Sequence, residues 1–443
     1  MPHVYHSAPP RQRRPVGESA TMAELIERTW QPQGVDGLPR RDRTGCDYLA
    51  YVPDPLADRE FSLAGTTAAD VADAEAAVAR LNGSVTALAD TEALARLLLR
   101  AEAVASSHIE GLQVGARRLL RVEATGAGDR GASDVTAVEV LGNIEAMDVA
   151  VHLTEGPVTP GDVLEMHRRL LSSTDRHAHA GRFRDQQNWI GGSSYNPCSA
   201  AFVPPPEGEV PALMEDLCAF VNGDSLPAVA QAAVAHAQFE TIHPFVDGNG
   251  RTGRALVHVV LRRRGLAPRV VPPISLILAT RADDYVAGLT DYRYVGPADG
   301  PAATAGINRW IAAFAAATTA AAVDAERFEA QITALKQTWR DRLRRPRAGS
   351  ASAELVDRLP GAPVVTVGAV AEMLGRTYKA ANDAVARFEA AGILTPIGHR
   401  RRHRAWEASE IIEAFTSLER SLASPTGDTR TAGPARPVPA RRR

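Results

Sequence analysis

Twelve consecutive residues, His243-Pro-Phe-Val-Asp-Gly-Asn-Gly-Arg-Thr-Gly-Arg254, gather most of the chemistry legible in this chain of 443 residues. His243 is the one side chain among them whose ordinary pKa lies near neutrality, so it can accept a proton and later return it. Asp247 offers hard carboxylate oxygens of the kind Mg2+ takes beside substrate phosphates. Gly248 and Gly250 flank Asn249, and such a stretch can turn backbone N–H groups toward an anion. The apolar-patterned run Ala255–Leu261 follows and reads as a buried helix, so the loop feeds a helix N-terminus, a natural phosphate seat. Arg251 and Arg254, spaced i, i+3, share a face there. Their planar forks suit phosphate oxygens. A lone Gly-Asn-Gly would indicate only a solvated turn. With His, Asp and both Arg in register, the run reads as a device for activating a hydroxyl against a bound nucleotide.

Helices must position these groups, and the hydrophobic periodicity predicts a mainly α chain. Helices are expected over Asp70–Leu81, Thr91–Leu112, Ser133–Leu153, Thr159–Leu171, Val210–Val221, Pro227–Glu240, Ala282–Tyr292 and Ala303–Leu343. Thr159 is a fitting N-cap, with Pro160 at the first helical position. Tyr48–Leu56 reads as extended and proline-fixed. Gly181–Pro206 carries turn and hairpin chemistry in Trp189-Ile-Gly-Gly192 and Tyr195-Asn-Pro197. A length of 443 residues predicts two or three domains. Residues 1–20 read as disordered, Arg344–Ser352 as a linker, 353–418 as a second folded unit and 419–443 as a solvated tail.

Composition excludes more than it assigns. The 50 Lys and Arg nearly balance 52 Asp and Glu, so net charge points to no partner. Cys46, Cys198 and Cys218 have no CxxC spacing. They read as isolated thiols, arguing against a disulfide framework or zinc ribbon and suiting a reducing cytoplasm. Met1–Ser19 lacks the apolar segment of a signal peptide. The most apolar window, Trp310–Val323, is too short to span a bilayer, so no membrane partner is expected. Gly126–Gly131 fits GxGxxG but follows a helical pattern, and reads as a loop. His177 and His179 lack companions for a metal site, and His236 reads as a hydrogen-bonded core histidine. No Walker-type lysine motif is present, which argues against P-loop phosphoryl transfer.

The signature resembles the Fic/Doc (Fido) family at every diagnostic position, and the resemblance spans about residues 40–345. Tyr51-Val-Pro-Asp-Pro-Leu56 resembles the family's N-terminal extension. Gln187–Gly192 and Phe202–Pro206 resemble its hairpin flap and the segment after it. The resemblance implies a helical extension over 21–125 and, over 126–345, a Fic-type helical bundle with a β-hairpin flap above the active site. It implies an enzyme that moves AMP from ATP, with Mg2+, to a Ser, Thr or Tyr hydroxyl of a protein, which could be the chain itself; a homodimer is left open. His243 would be the base and Asp247 the Mg2+ ligand. Gly248, Asn249, Gly250, Arg251, Thr252 and Gly253 would cradle the nucleotide, with Arg254 on the γ-phosphate and Tyr285 near the adenine and ribose. The family often has two adjacent tyrosines there, whereas Val286 follows Tyr285, which puts the choice of nucleobase in doubt.

Ser106-Ser-His-Ile-Glu-Gly111 resembles the family's inhibitory motif. Ser106 and Glu110 are i, i+4 on the expected helix, so they share a face, and Gly111 can end it. The resemblance implies that Glu110 pairs with Arg254 and denies it to the γ-phosphate. The same Glu could also place a water for removing AMP. In the flap, Trp189, Ile190 and Gly191 would dock an extended target segment through backbone pairing.

Farther along, Val367–Gly375 and Thr377–Ala391 read as a helix–turn–helix with Gly375 at the turn. Between Arg376 and Arg404 seven Lys and Arg face two Asp and Glu. The unit resembles a winged helix-turn-helix, implying that Lys379, Asn382 and Arg387 face DNA while Arg400, Arg401, Arg402 and Arg404 form a wing against phosphates. A basic scaffold or protein-docking module is the other reading. The alternative for the whole chain is a DNA-binding regulator with a nucleotide-responsive Fic module, or a Fic enzyme of different transfer chemistry such as phosphorylation.

Overall fold

The structure is a computed structural model that describes residues 22–32, 37, 42–85, 91–125, 135–153, 156–397 and 404–422. The described residues open not with helix but with an antiparallel pair, β1 (Met22–Trp30) and β2 (Cys46–Val52), in register from Glu24 opposite Val52 to Trp30 opposite Cys46. The segment Met22-Ala-Glu-Leu-Ile-Glu-Arg-Thr-Trp30 is rich in good helix formers. Pairing with β2 overrides that local preference. A short strand, β3 (Gly296–Pro297), adds to β1.

Helices follow: α1 (Gly65–Val85), α2 (Thr91–Ile109), α3 (Ala116–Thr125), α4 (Val135–His152), α5 (Pro160–Leu171), α6 (Val210–Asn222), α7 (Ala228–Ile242), α8 (Asn249–Arg263), α9 (Ile274–Thr280), α10 (Ala282–Tyr292) and α11 (Pro301–Arg342). The chain is thus mainly helical, as its periodicity predicts. Thr159 caps α5 through a reciprocal capping box with Asp162. At the centre lies α7, buried along its whole length. Its many alanines let α8 approach closely, and a Cβ on Gly253 would sit 2.8 Å from Phe239 of α7. The α7–α8 pair is therefore a rigid stem for the loop between them.

The C-terminal unit comprises α12 (Ala351–Arg358), β4 (Val364–Thr366), α13 (Val367–Leu374), α14 (Tyr378–Ala390), β5 (Thr395–Ile397), β6 (Ala405–Glu407) and α15 (Ser409–Leu422), with a sheet ordered β4-β6-β5. Gly375 turns between α13 and α14 in the left-handed region. The expected boundary at 418 falls inside α15, which buries Ile411, Phe415 and Leu418. Residues 344–352 do not separate two independent bodies. One apolar cluster joins Leu97 and Trp339 to Leu355, Leu359 and Phe415. Arg100 donates to the Gly361 carbonyl (2.7 Å), Arg121 to Glu407 (2.7 Å) and Trp339 to Glu410 (2.7 Å). The C-terminal unit thus forms part of the wall behind α2.

Two expectations are corrected here. Cys46 and Cys198 are joined in a disulfide across 152 residues, and only Cys218 is free, in the core. Sequence spacing is blind to a pair that folding brings together from 152 residues apart. The argument for a reducing compartment loses its support. The flap, expected as a hairpin, is reduced to a single bridge between Ile190 and Phe202. Prolines 204–206 offer no N–H to extend a ladder. Residues 1–20, 126–131 and 400–402 lie outside the described residues.

Candidate active site

His243 ends α7 in the left-handed region (φ 50°), its N–H on the Phe239 carbonyl. The chain then turns sharply through Pro244 and Phe245. Three side chains hold the turn. Asn249 clasps Phe245, accepting from its N–H and donating to its carbonyl, both at 2.8 Å. Arg184 donates to the His243 carbonyl (2.9 Å) and the Pro205 carbonyl (2.6 Å), tying the loop to the flap segment. Phe245 is fully buried and stacks on His167 at 3.7 Å. Burial holds His167 down to about 4, hence neutral. A neutral ring accepts from Gly181 N–H at Nδ1 and donates from Nε2 to the Asp247 carbonyl (3.0 Å).

The side chain of Asn249 is thus spent on the loop itself rather than turned toward phosphate. Replacing Asn249 with alanine leaves the buried Phe245 N–H unpaired, while the Phe245 carbonyl keeps its bond from Asn188 Nδ2 (3.0 Å), and should cost about 1–3 kcal/mol. Urea unfolding should show the loss as a lowered midpoint.

The functional groups surround this turn. A fifth of the His243 side-chain surface remains exposed. Burial, then Arg184 and Arg293, lower its pKa to about 4, so at neutral pH it is an unprotonated base. Asp247, about a third exposed, accepts from Gly248 N–H (2.8 Å) and faces Arg176 (3.4 Å) and Arg251 (3.8 Å). Arg251 is 5% exposed, and its Nε and Nη1 have no hydrogen-bond partner among the described residues. A buried cation left unpaired is costly. Together with the open first-turn N–H groups of α8, which has no side-chain cap, it makes a seat for an anion.

Arg254 is the opposite case. It is 2% exposed and fully engaged: Nε donates to Ser106 Oγ (2.9 Å), and Nη2 to the Ser106 carbonyl (2.8 Å) and Glu110 Oε1 (2.7 Å). Burial opposes its charge most strongly, but Glu110, Tyr285 and Glu240 together overcome it and raise its pKa. Glu110 follows the last residue of α2, at the turn made by Gly111 (φ 83°). Its carboxylate lies across Gly250, where a Cβ would come within 1.9 Å of Oε1. It therefore occupies the very ground that an anion on the α8 N-terminus would take.

Other expected residues are placed differently. Tyr285 is buried beneath the cleft, its OH bonded to His236 Nε2 (2.8 Å), so it is a core group and not a wall for adenine. Val286 beside it is 59% exposed. Thr252 and Gly253 face the α7–α8 interior, Thr252 fully buried with its N–H on the Gly248 carbonyl. Gly248 forms the N-cap of α8. In the flap, Trp189 meets the Trp30 ring edge-on (5.3 Å), Ile190 is exposed, and Gly191 turns with φ 75°. Ser193 Oγ and Asn196 Nδ2 both donate to Asp42.

In the C-terminal unit Lys379 and Asn382 are exposed. Arg387 donates to the Leu343 carbonyl (3.3 Å), and Arg404 reaches Glu389 (3.5 Å) and lies over the Trp406 ring. Both are thus engaged within the chain. Sequence reasoning missed His167, Arg176, Arg184, Glu240 and Arg293, which reach the site from four separate segments. Of these only Glu240 adjoins the signature.

Residues 157–261 match the Fic/DOC family, and residues 68–152 match the Fic/DOC family N-terminal region. Over 152 residues the chain is 36% identical to the protein adenylyltransferase Fic of Drosophila virilis, covering 32% of this chain and 29% of that protein. The corresponding protein of Drosophila willistoni is 35% identical over 152 residues, with 32% and 28% covered. The chain therefore spans under a third of the length of these relatives. Among solved structures, a Fic family protein from Desulfovibrio desulfuricans G20 superposes with a TM-score of 0.48 at 19% identity, over 79% of this chain and 98% of that one. Fic-1 from C. elegans gives 0.44 at 25% identity, over 59% and 74%.

Proposed function

We propose, from the premise that this chain carries a Fic/DOC domain preceded by that family's N-terminal region, that it is a protein adenylyltransferase restrained by its own Glu110. One observation carries the reading: a neutral, reachable His243 and an Arg251 whose Nε and Nη1 are unbonded among the described residues stand beside an Arg254 already occupied by Glu110.

ATP is the substrate, its phosphates on the first turn of α8 and on Arg251. Arg254 takes the γ-phosphate once Glu110 lets go. Mg2+ fits the site, because a partly exposed carboxylate beside an anion seat is how proteins share that ion with phosphates. Asp247 would hold it, and it would neutralise phosphate charge. His243 Nε2 takes the proton of a target Ser, Thr or Tyr hydroxyl. The freed oxygen attacks the α-phosphorus, and the bond to pyrophosphate breaks. The Ile190 backbone is spent on Phe202 and Ala201, so its exposed side chain is what the flap offers an extended target segment.

Incubation with α-labelled and with γ-labelled ATP tests this. Protein labelled from the α position alone supports AMP transfer. Label from the γ position alone means phosphorylation and overturns it.

A second reading concerns the C-terminal unit. Thr366 and Thr377 cap α13 and α14 around the Gly375 turn, and Lys379 and Asn382 lie exposed on α14. This geometry supports DNA binding, although Arg387 and Arg404 are held within the chain. If DNA binds, replacing Arg400, Arg401, Arg402 and Arg404 by alanine should flatten the salt dependence of affinity by about 0.9 per lost phosphate contact. Gel-shift titrations of the full chain at two salt concentrations measure the slope. Equal, weak binding to every duplex would make the unit a basic scaffold.

A further inference from the structure

The last turn of α7 places Glu240 and His243 at i, i+3, so their side chains lie on one face. Glu240 is 7% exposed, and its Oε2 lies 3.9 Å from His243 Nδ1. Its Oε1 is buried with no hydrogen-bond partner among the described residues, and so is His243 Nδ1, which faces the Glu240 backbone carbonyl. The groups around the carboxylate come from every neighbouring element. Arg254 faces it from α8, Glu110 from the end of α2, Arg293 and Tyr285 from α10 and its end, while Arg184 stands behind the imidazole. Gly253 of α8 leaves room for Oε1, since a Cβ there would lie 2.9 Å away. A buried carboxylate oxygen without a donor is an expensive choice if packing were its whole purpose.

We propose that Glu240 is a positioning residue for His243, setting the imidazole with Nδ1 inward and stabilising the imidazolium that forms when Nε2 takes the target proton. This rests on the adenylyltransferase reading. Glu240 stands outside the signature and touches neither nucleotide nor target; it acts through the ring.

Burial first, and Glu110 after it, push Glu240 up to about 7 against the pull of Arg254 and Arg293. Below that pH it is neutral, and above it anionic. The anion favours a proton on His243, offsetting the burial and the arginines that depress the ring. Transfer should therefore rise as pH passes upward through the ionisation of Glu240. Removing Glu110 takes away a like charge and moves that limb to lower pH.

The test uses full-length protein carrying Glu110→Gly, with self-modification followed from about pH 5.5 to 8.5. Adding Glu240→Gln should lower the rate at the alkaline end roughly 10-fold or more, with little change in KM for ATP, and flatten the limb. Glu240→Asp, which keeps an ionisable group, should retain the limb at a reduced rate. It also serves if the Gln variant does not fold. An unchanged rate and pH profile in Glu240→Gln overturns the proposal. A second measurement needs no activity: NMR titration of ring-labelled histidine in otherwise wild-type protein. The His243 resonance should move in two steps, one near neutrality, and Glu240→Gln should leave only the acid step. Identical titrations would sink the proposal. If Glu110→Gly transfers no AMP, the adenylyltransferase reading fails, and the imidazole titration still decides the role of Glu240.

Discussion

Replacing His243 with alanine is expected to lower AMP transfer by ~10²–10⁴-fold, the usual worth of a general base. The structure makes this a clean experiment. Burial and the two nearby arginines already keep the ring unprotonated at neutral pH, so the variant loses the base and not a positive charge. The phosphate-binding groups, Arg251, Arg254 and the first turn of α8, are anchored independently, Arg254 on Ser106 and the helix on its buried stem. ATP affinity by calorimetry should therefore change little while the rate collapses. Undiminished labelling would remove His243 from the mechanism.

Glu110→Gly should act in the opposite direction. The substitution vacates the space above Gly250 and leaves Arg254 with its two bonds to Ser106 and without its bonded carboxylate. Arg254 remains aimed at the cleft, because Ser106 holds it. A regulatory coupling of this kind is typically worth about 5–150-fold, and self-modification from α-labelled ATP should rise within that range. Glu110 is more than a third exposed, so the fold should tolerate its loss, which thermal unfolding can verify. Equal labelling of Glu110→Gly and wild type would refute inhibition.

Much of the site was legible because its chemistry is local. Twelve contiguous residues carry the base, the carboxylate, the turn and both arginines, and a helical spacing of four aligns Ser106 with Glu110. The structure brings these two groups together over 144 residues, an outcome the family resemblance implied and spacing alone could not. Roles inside the run were harder to read. Asn249 and Gly253 look like phosphate ligands in one dimension, whereas one clasps its own loop and the other admits a neighbouring helix. Tyr285 has the expected residue type but faces inward, since only the third dimension tells which side of α10 meets the core. The helix periods were plain from apolar spacing. Strand β1 was hidden by helix-forming residues, and the Cys46–Cys198 bond by sequence distance.

The seating of α2 has a consequence for the order in which the protein is made. Glu110 leaves the ribosome before His243 does. At about 5–20 residues per second, Glu110 has roughly 7–27 s of lead over His243. A nascent chain thus never presents the loop without Glu110 already synthesised. The back of α2 waits longer, because Gly361, Glu407 and Glu410, which complete the wall around α2, α3 and α11, emerge more than a hundred residues after His243. Unfinished chains broken off beyond α8 would hold both the loop and Glu110, yet lack that wall.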